Sequence, residues 1–272
     1  MNRIRHFRGR IAAFVLTLAV AAVARSQDNV PPGFTELSLT VEGIAREALV
    51  YAPESAKKTP APLVFVFHGH GGSARNAARQ FAMQSNWPDA ISVCMQGLNT
   101  PGRLTDPEGK RAGWQRNAGD QGDRDLKFFD AILARVKQDY QVDTKRMYAT
   151  GHSNGGSFTY LLWAERGDAF VAFAPSSCSA VESLPKLKPK PAFQVAGSAD
   201  PLVKFEWQQR MMEAVRKVNG CEAEGKAWDS GCTLYPSASG APFISFIHPG
   251  GHVFPAEAPA LIVKFFKEHP GA

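Results

Sequence analysis

Met147-Tyr148-Ala149-Thr150-Gly151-His152-Ser153-Asn154-Gly155-Gly156 decides how this chain is to be read. An apolar run ends in a glycine-flanked serine, and residues 155–164 then carry a helical pattern. A strand that gives way to a helix within so few residues must turn sharply, and glycines at 151 and 155 permit it because side chains there would collide across the turn. A serine at the apex is forced into a strained backbone conformation that holds its hydroxyl clear of the sheet. The spacing G-x-S-x-G arises often by chance; its position between a buried strand and a helix is what gives it weight.

Outward from this turn the same alternation repeats. Leu63-Val64-Phe65-Val66-Phe67 and residues 171–174, 193–196 and 243–247 are apolar on both faces, as strands of a parallel sheet covered on each side are. Residues 35–41 alternate instead, with Leu37, Leu39 and Val41 on one face. Glu42-Gly43 then turns the chain into a second strand over residues 44–51, an N-terminal antiparallel hairpin. Asp123 stands as an N-cap before Leu126, Phe129, Leu133, Val136 and Tyr140 at helical spacing, and a last helix is expected over residues 258–268. The pattern predicts a single α/β domain: a mostly parallel central sheet with helices on both faces.

The chain has 272 residues and a formal net charge of +6. Residues 1–24 read as an export signal: Arg3, Arg5, Arg8 and Arg10 precede an apolar run that ends in Ala22-Val23-Ala24, an A-x-A cleavage pattern. That run is short of the roughly 20 residues that span a bilayer. The catalytic domain is therefore expected over residues 25–272, secreted or periplasmic, with no membrane association after cleavage. Removing four arginines and no acid lowers the net charge from +6 to +2. Lys186, Lys188 and Lys190 alternate with Leu and Pro and make no basic stripe, so a nucleic-acid partner is not expected. Four cysteines would meet an oxidising compartment. Cys221 and Cys232 enclose a short polar segment and are expected to bridge; Cys94 and Cys178 are expected at strand ends, as packing groups too far apart to pair.

A serine hydroxyl is a weak nucleophile until a base takes its proton. In a strand–turn–helix context the acid and then the histidine should follow Ser153 in chain order, each in a loop after a strand. Asp200, in Gly197-Ser198-Ala199-Asp200-Pro201, and His252, in His248-Pro249-Gly250-Gly251-His252, occupy such places. The rival acids Asp168 and Asp229 lack the strand-end position, and His248 lies on or beside the strand. Asp200 lies 47 positions after Ser153, which leaves no room for a large lid between them. The oxyanion of an acyl-transfer step needs donors, for which the backbone N–H of Asn154 and that of His70, in His68-Gly69-His70-Gly71-Gly72, are the candidates, with Gly71 second to His70. No metal is expected: the H-x-H of this loop lacks the Asp-His that would follow it in a metallohydrolase, and no helix aligns His248 with His252.

With these residues in view, the chain resembles the secreted polyhydroxybutyrate-depolymerase-like esterases of the α/β-hydrolase superfamily, a group related to feruloyl and acetylxylan esterases. The resemblance runs from about Leu49 to the C-terminus and rests on His68-Gly69, Gln96-Gly97, Gly113-Trp114, Gly151-His152-Ser153, Ala199-Asp200-Pro201 and Gly250-Gly251-His252. It implies an α/β-hydrolase fold and hydrolysis of carboxylic esters, either small molecules or oligomers such as hydroxyalkanoates, feruloyl or acetyl esters, without a cofactor. It also implies that Trp114 lines the substrate cleft. Phe254 stands where the group usually carries Trp after its catalytic histidine. Two other readings are acyl transfer to an alcohol on the same fold and a non-catalytic binding protein; the second has no need of all three groups in order.

Overall fold

The computed structural model describes residues 30–271; the expected export signal lies outside them. The first strands are β1 (Phe34–Val41), β2 (Ile44–Tyr51), β3 (Ala61–Phe67), β4 (Ile91–Met95), β5 (Leu98–Asn99) and β6 (Ala112–Gly113). They are followed by β7 (Val142–His152), β8 (Ala172–Ser176), β9 (Ala192–Gly197), β10 (Lys226–Asp229), β11 (Cys232–Tyr235) and β12 (Phe243–His248). The helices are α1 (Ala74–Phe81), α2 (Met83–Asn86), α3 (Arg124–Asp139), α4 (Asn154–Arg166), α5 (Phe205–Val218) and α6 (Ala258–Glu268).

Ten strands form one sheet in the order β1-β2-β4-β3-β7-β8-β9-β12-β11-β10. The six from β4 to β12 run parallel, and an antiparallel pair flanks them on each side. The N-terminal hairpin is as expected: Val41 opposes Ile44, and Glu42 and Gly43 both take positive φ, 49° and 79°, as a tight two-residue hairpin turn demands. The parallel strands are apolar on both faces because both are covered. Phe65 and Phe67 pack on Phe129 of α3 and Phe158 of α4, while Val64 and Val66 join α1 and α6 in the opposite core. Helices α3, α4 and α5 therefore cover one face, and α1 and α6 the other. This is the α/β-hydrolase architecture that the sequence predicts.

Two expectations need correction, and one helix stands where none was expected. Asp123 stands at the cap position of α3, but its carboxylate turns away to accept from the N–H of Gly119 (2.7 Å) and from Gln115 Nε2 (2.9 Å). The first N–H groups of α3 are satisfied instead by Gln115 Oε1, which accepts from Asp125 and Leu126. Helix α5 lies in a stretch the sequence reading passed over; it buries Met211, Met212 and Val215 on one face. Finally, all four cysteines are free, so the expected Cys221–Cys232 bridge is overturned. The polar segment between them is no closed loop, because it contains strand β10, which turns through Ser230-Gly231 into β11. Cys232 pairs with Phe246 at the turn end, whereas Cys221 bridges to Ser237, five residues further along the hairpin. At about 3.4 Å per residue this is about 17 Å, well beyond the roughly 7 Å a disulfide tolerates. Cys94 and Cys178 sit in opposite cores, with β3 and β7 between β4 and β8.

Candidate active site

Strand β7 runs straight into α4 through Ser153, whose backbone is strained as the motif predicts, at φ 58° and ψ −119°. The flanking glycines are obligatory. A Cβ on Gly151 would lie 2.4 Å from the carbonyl oxygen of Gly155, and one on Gly155 would lie 2.3 Å from that of Phe67. The Ser153 N–H donates to the Ser176 carbonyl (2.8 Å), which ties the turn to the end of β8. Ser153 Oγ lies 2.8 Å from His252 Nε2, and His252 Nδ1 lies 2.8 Å from Asp200 Oδ2. The neutral tautomer that satisfies both contacts carries its proton on Nδ1. Asp200 is fully buried at its side chain and accepts four hydrogen bonds, from the N–H groups of Leu202 and Val203, from Gln208 Nε2 and from His252. Gln208, on α5, also donates to the Val203 carbonyl, so its amide is held while it holds Asp200. Sequence reading missed it, since nothing marks a helical glutamine as the neighbour of a loop carboxylate eight positions earlier.

The rivals go elsewhere. His248 ends β12, and its Nδ1 accepts from the N–H of Gly250 (3.1 Å). Asp168 lies on the surface beside Lys188, and Asp229 pairs with Lys264. His152, next to Ser153, packs its ring 5.0 Å from that of His252 and reaches Ser176 Oγ through Nδ1. Burial and the neighbouring His252 depress its pKa to about 3. It therefore stays neutral and adds no charge beside His252.

The glycine loop after β3 lies against the serine: a Cβ on Gly69 would come 3.5 Å from Ser153 Cβ. His68 is buried, donates through Nδ1 to the Gly69 carbonyl (2.8 Å) and accepts through Nε2 from the Gly97 N–H (2.9 Å). Burial lowers its pKa to about 4, and both ring nitrogens are occupied, which leaves none for a metal. Among the described residues no three His, Cys, Asp or Glu side chains converge as a metal site requires. The His70 ring is held by Asp106 (Nε2 to Oδ2, 3.0 Å) and fills the space beside Gly102 and Gly113. This contact, with the N–H groups of Lys110 and Arg111, holds the Asp106 carboxyl below the usual range. The Gly71 N–H donates to the Ala112 carbonyl (2.6 Å), which removes it as the second candidate donor.

The family profile described as the Dienelactone hydrolase family matches residues 47–224. The chain belongs to that family. Among curated relatives of this family member, feruloyl esterase C of Emericella nidulans is 27% identical over 76% of this chain and 76% of its own length. A probable feruloyl esterase C of Aspergillus niger is 26% identical over 75% of each. The bifunctional acetylxylan esterase/xylanase XynS20E of Neocallimastix patriciarum is 28% identical over 67% of this chain, which spans only 26% of that larger protein. The chain likewise spans 37% of a probable feruloyl esterase C of Aspergillus clavatus, at 36% identity. Among solved structures, an acetyl xylan esterase from Aspergillus awamori superposes with a TM-score of 0.65 at 12% identity, covering 86% of this chain and 99% of that one. A ferulic acid esterase does so at 0.61 and 15% identity, covering 86% and 97%. At such identities the structures speak for the fold alone. The kinship with ester hydrolases that the motifs imply is borne out.

Trp114 is among the residues that line the cleft, as the resemblance implies, but almost none of it is open to solvent. Its ring is 1% exposed, stacked on Phe158 and edge-on to Phe67, with Nε1–H donated to the His68 carbonyl. Its backbone clasps the Asn154 side chain: Oδ1 accepts from the Trp114 N–H (2.7 Å) and Nδ2 donates to its carbonyl (3.2 Å). Trp114 thus braces the floor of the cleft and offers substrate no open face. The cleft itself, about 670 Å³, opens over Ser153 and His252. Its walls come from the excursion between β4 and α3, from the 3₁₀ turn at Val181–Lys186, and from α5. The exposed aromatic there is Trp207.

Proposed function

We propose that this protein is an exported serine hydrolase of carboxylic esters, with Ser153 as nucleophile, His252 as base and Asp200 as its orienting acid. The observation that carries this is the unbroken chain Ser153 Oγ–His252 Nε2, His252 Nδ1–Asp200 Oδ2, both links 2.8 Å, at the floor of an open cleft. Ser153 Oγ attacks the ester carbonyl while its proton passes to His252 Nε2. The backbone N–H groups of Asn154, at the positive end of α4, and of His70 receive the developing oxyanion, each worth about 3 kcal/mol in the transition state. The carbonyl–alkoxide bond breaks, and His252 returns the proton to the departing alcohol. Water then gives a proton to His252 as its oxygen attacks the acyl-enzyme, and Ser153 leaves with that proton.

The relatives named as feruloyl and acetylxylan esterases support esters of that kind as substrates. The arginine-led apolar segment over residues 1–24 supports export and a domain that begins near residue 25. The test is a fluorophosphonate probe mapped by mass spectrometry, joined to hydrolysis of p-nitrophenyl butyrate, methyl ferulate and acetylated xylan. The expected result is one adduct, at Ser153, and loss of several orders of magnitude in turnover for Ser153→Ala and His252→Ala. An adduct at another serine, or an inactive His248→Ala beside an active His252→Ala, would overturn the assignment.

A further inference from the structure

The loop after β3 holds one backbone N–H free between two that are tied. Before it, the Gly69 carbonyl accepts from His68 Nδ1 (2.8 Å) and from the Gly72 N–H (2.9 Å). After it, the Gly71 N–H donates to the Ala112 carbonyl (2.6 Å). The His70 N–H between them donates to no acceptor among the described residues, and His70 lines the cleft over Ser153. That N–H is the second donor to the oxyanion, but the imidazole of the same residue has no part in the chemistry described so far.

The ring is only 9% exposed, and its one hydrogen bond is from Nε2 to Asp106 Oδ2 (3.0 Å); Nδ1 is buried with no partner among the described residues. Asp106 in turn organises the excursion between β4 and α3. Its carbonyl accepts from the N–H groups of Gly102 (2.7 Å) and Gly109 (3.0 Å), and its carboxylate from those of Lys110 (3.2 Å) and Arg111 (2.8 Å). Arg111 Nε stands 3.8 Å from the same carboxylate. The hydrogen bond from His70, first among these influences, holds the Asp106 carboxyl below the usual range. It is ionised near neutral pH and can only accept, so Nε2 carries the ring's proton. A Cβ on Gly102 would lie 2.7 Å from the ring's Cε1. One on Gly113 would lie 2.6 Å from His70 Nδ1 and 2.9 Å from Asn154 Oδ1, so the residues of both oxyanion donors pack on one glycine.

Resting on the esterase reading above, we propose that His70 is a positioning residue: its imidazole, hydrogen-bonded to Asp106, fixes the N–H of its own peptide where the oxyanion forms. Among residues 69–72 the other three are glycines, so His70 carries the loop's one side chain by which the backbone can be held. A donor stabilises the developing charge only if it is already aimed at it, and a displacement of about 1 Å costs about a hundredfold in rate. Oxyanion stabilisation is thereby tied to the folded excursion that walls the cleft.

Gln places its Nε2 at about the reach of the histidine Nε2 and keeps the donor to Asp106, whereas Leu fills the space and removes it. Rates are taken per active site titrated with a fluorophosphonate, so that misfolded protein does not count. His70→Leu should lower kcat and kcat/KM by the same factor, about ten- to a hundredfold, on p-nitrophenyl acetate and methyl ferulate alike. It should weaken a trifluoromethyl ketone inhibitor by that factor too, because the hemiketal oxygen sits where the oxyanion forms. His70→Gln should recover most of both. Should His70→Leu fail to fold, His70→Asn, too short to reach Asp106, makes the same comparison. Wild-type kcat and inhibitor affinity in the severed variant, a loss confined to KM or to ferulate, or a His70→Gln enzyme as impaired as His70→Leu overturns the proposal. Failure of the esterase reading looks different: the wild type turns over no ester, or Ser153→Ala turns over as much. Amide hydrogen exchange still reads the tie in that case. The N–H groups of Gly71, Lys110 and Arg111 should exchange faster in His70→Leu and return toward wild type in His70→Gln; unchanged exchange overturns the proposal.

Discussion

Replacing Trp114 should weaken the fold and lower activity on every ester by the same factor. Its indole is 1% exposed, stacks on Phe158 at 5.0 Å, meets Phe67 edge-on at 5.3 Å and donates to the His68 carbonyl at 2.9 Å. Deleting a buried ring of this size costs about 3–5 kcal/mol, and a buried carbonyl left without its donor adds about 1–3 kcal/mol. The sum is comparable to the roughly 5–15 kcal/mol that holds a typical domain together, so Trp114→Ala should fold poorly. Trp114→Phe is the sharper test, because it keeps most of the packing and removes the N–H, for a loss of about 1–3 kcal/mol. Urea unfolding and kcat/KM on methyl ferulate and p-nitrophenyl acetate are the measurements. Stability should fall by that amount, with equal proportional loss of activity on the two esters, because the brace on Asn154 and His68 serves any substrate. A Trp114→Phe protein of unchanged stability that loses only ferulate activity would refute this and return Trp114 to the substrate wall.

Gln208→Leu removes a donor from Asp200 Oδ2; kcat should drop about tenfold with KM little changed, and an unaltered kcat would show that the backbone N–H groups orient Asp200 unaided. Burial holds His68 near pKa 4 and His152 near 3, against an unfolded value of 6.5. The unfolded chain then binds more protons below pH 6.5, so stability is full above that pH and falls toward the folded values. At pH 5 the loss should be about 2 kcal/mol per histidine, and urea midpoints that do not move between pH 7 and 5 would contradict it. Non-reducing peptide mapping should recover Cys221 and Cys232 as separate alkylated peptides; a joined pair would mean that the β10–β11 hairpin is not in this register.

The fold and the groups proposed to react were written locally. The Ser153 turn needs only a buried strand, two glycines that backbone contacts forbid to be anything else, and a helix start. Strands apolar on both faces then require a covered parallel sheet, and chain order after strand ends singles out Asp200 and His252. Each of these rests on neighbours a few residues apart, where periodicity and steric demand act. The parts that were not legible depend on side chains brought together across the molecule. Nothing near Trp114 says that Phe158, Phe67 and the His68 carbonyl will enclose it, and Gly-Trp reads equally well as a wall or as a brace. Nor does spacing reveal that Gln208 reaches Asp200, or that the His70 ring meets Asp106. The cysteine pair shows the limit most plainly. Sequence separation made 221 and 232 look close, but an extended strand carries the chain about 3.4 Å per residue, and the hairpin's register places the two thiols at its opposite ends.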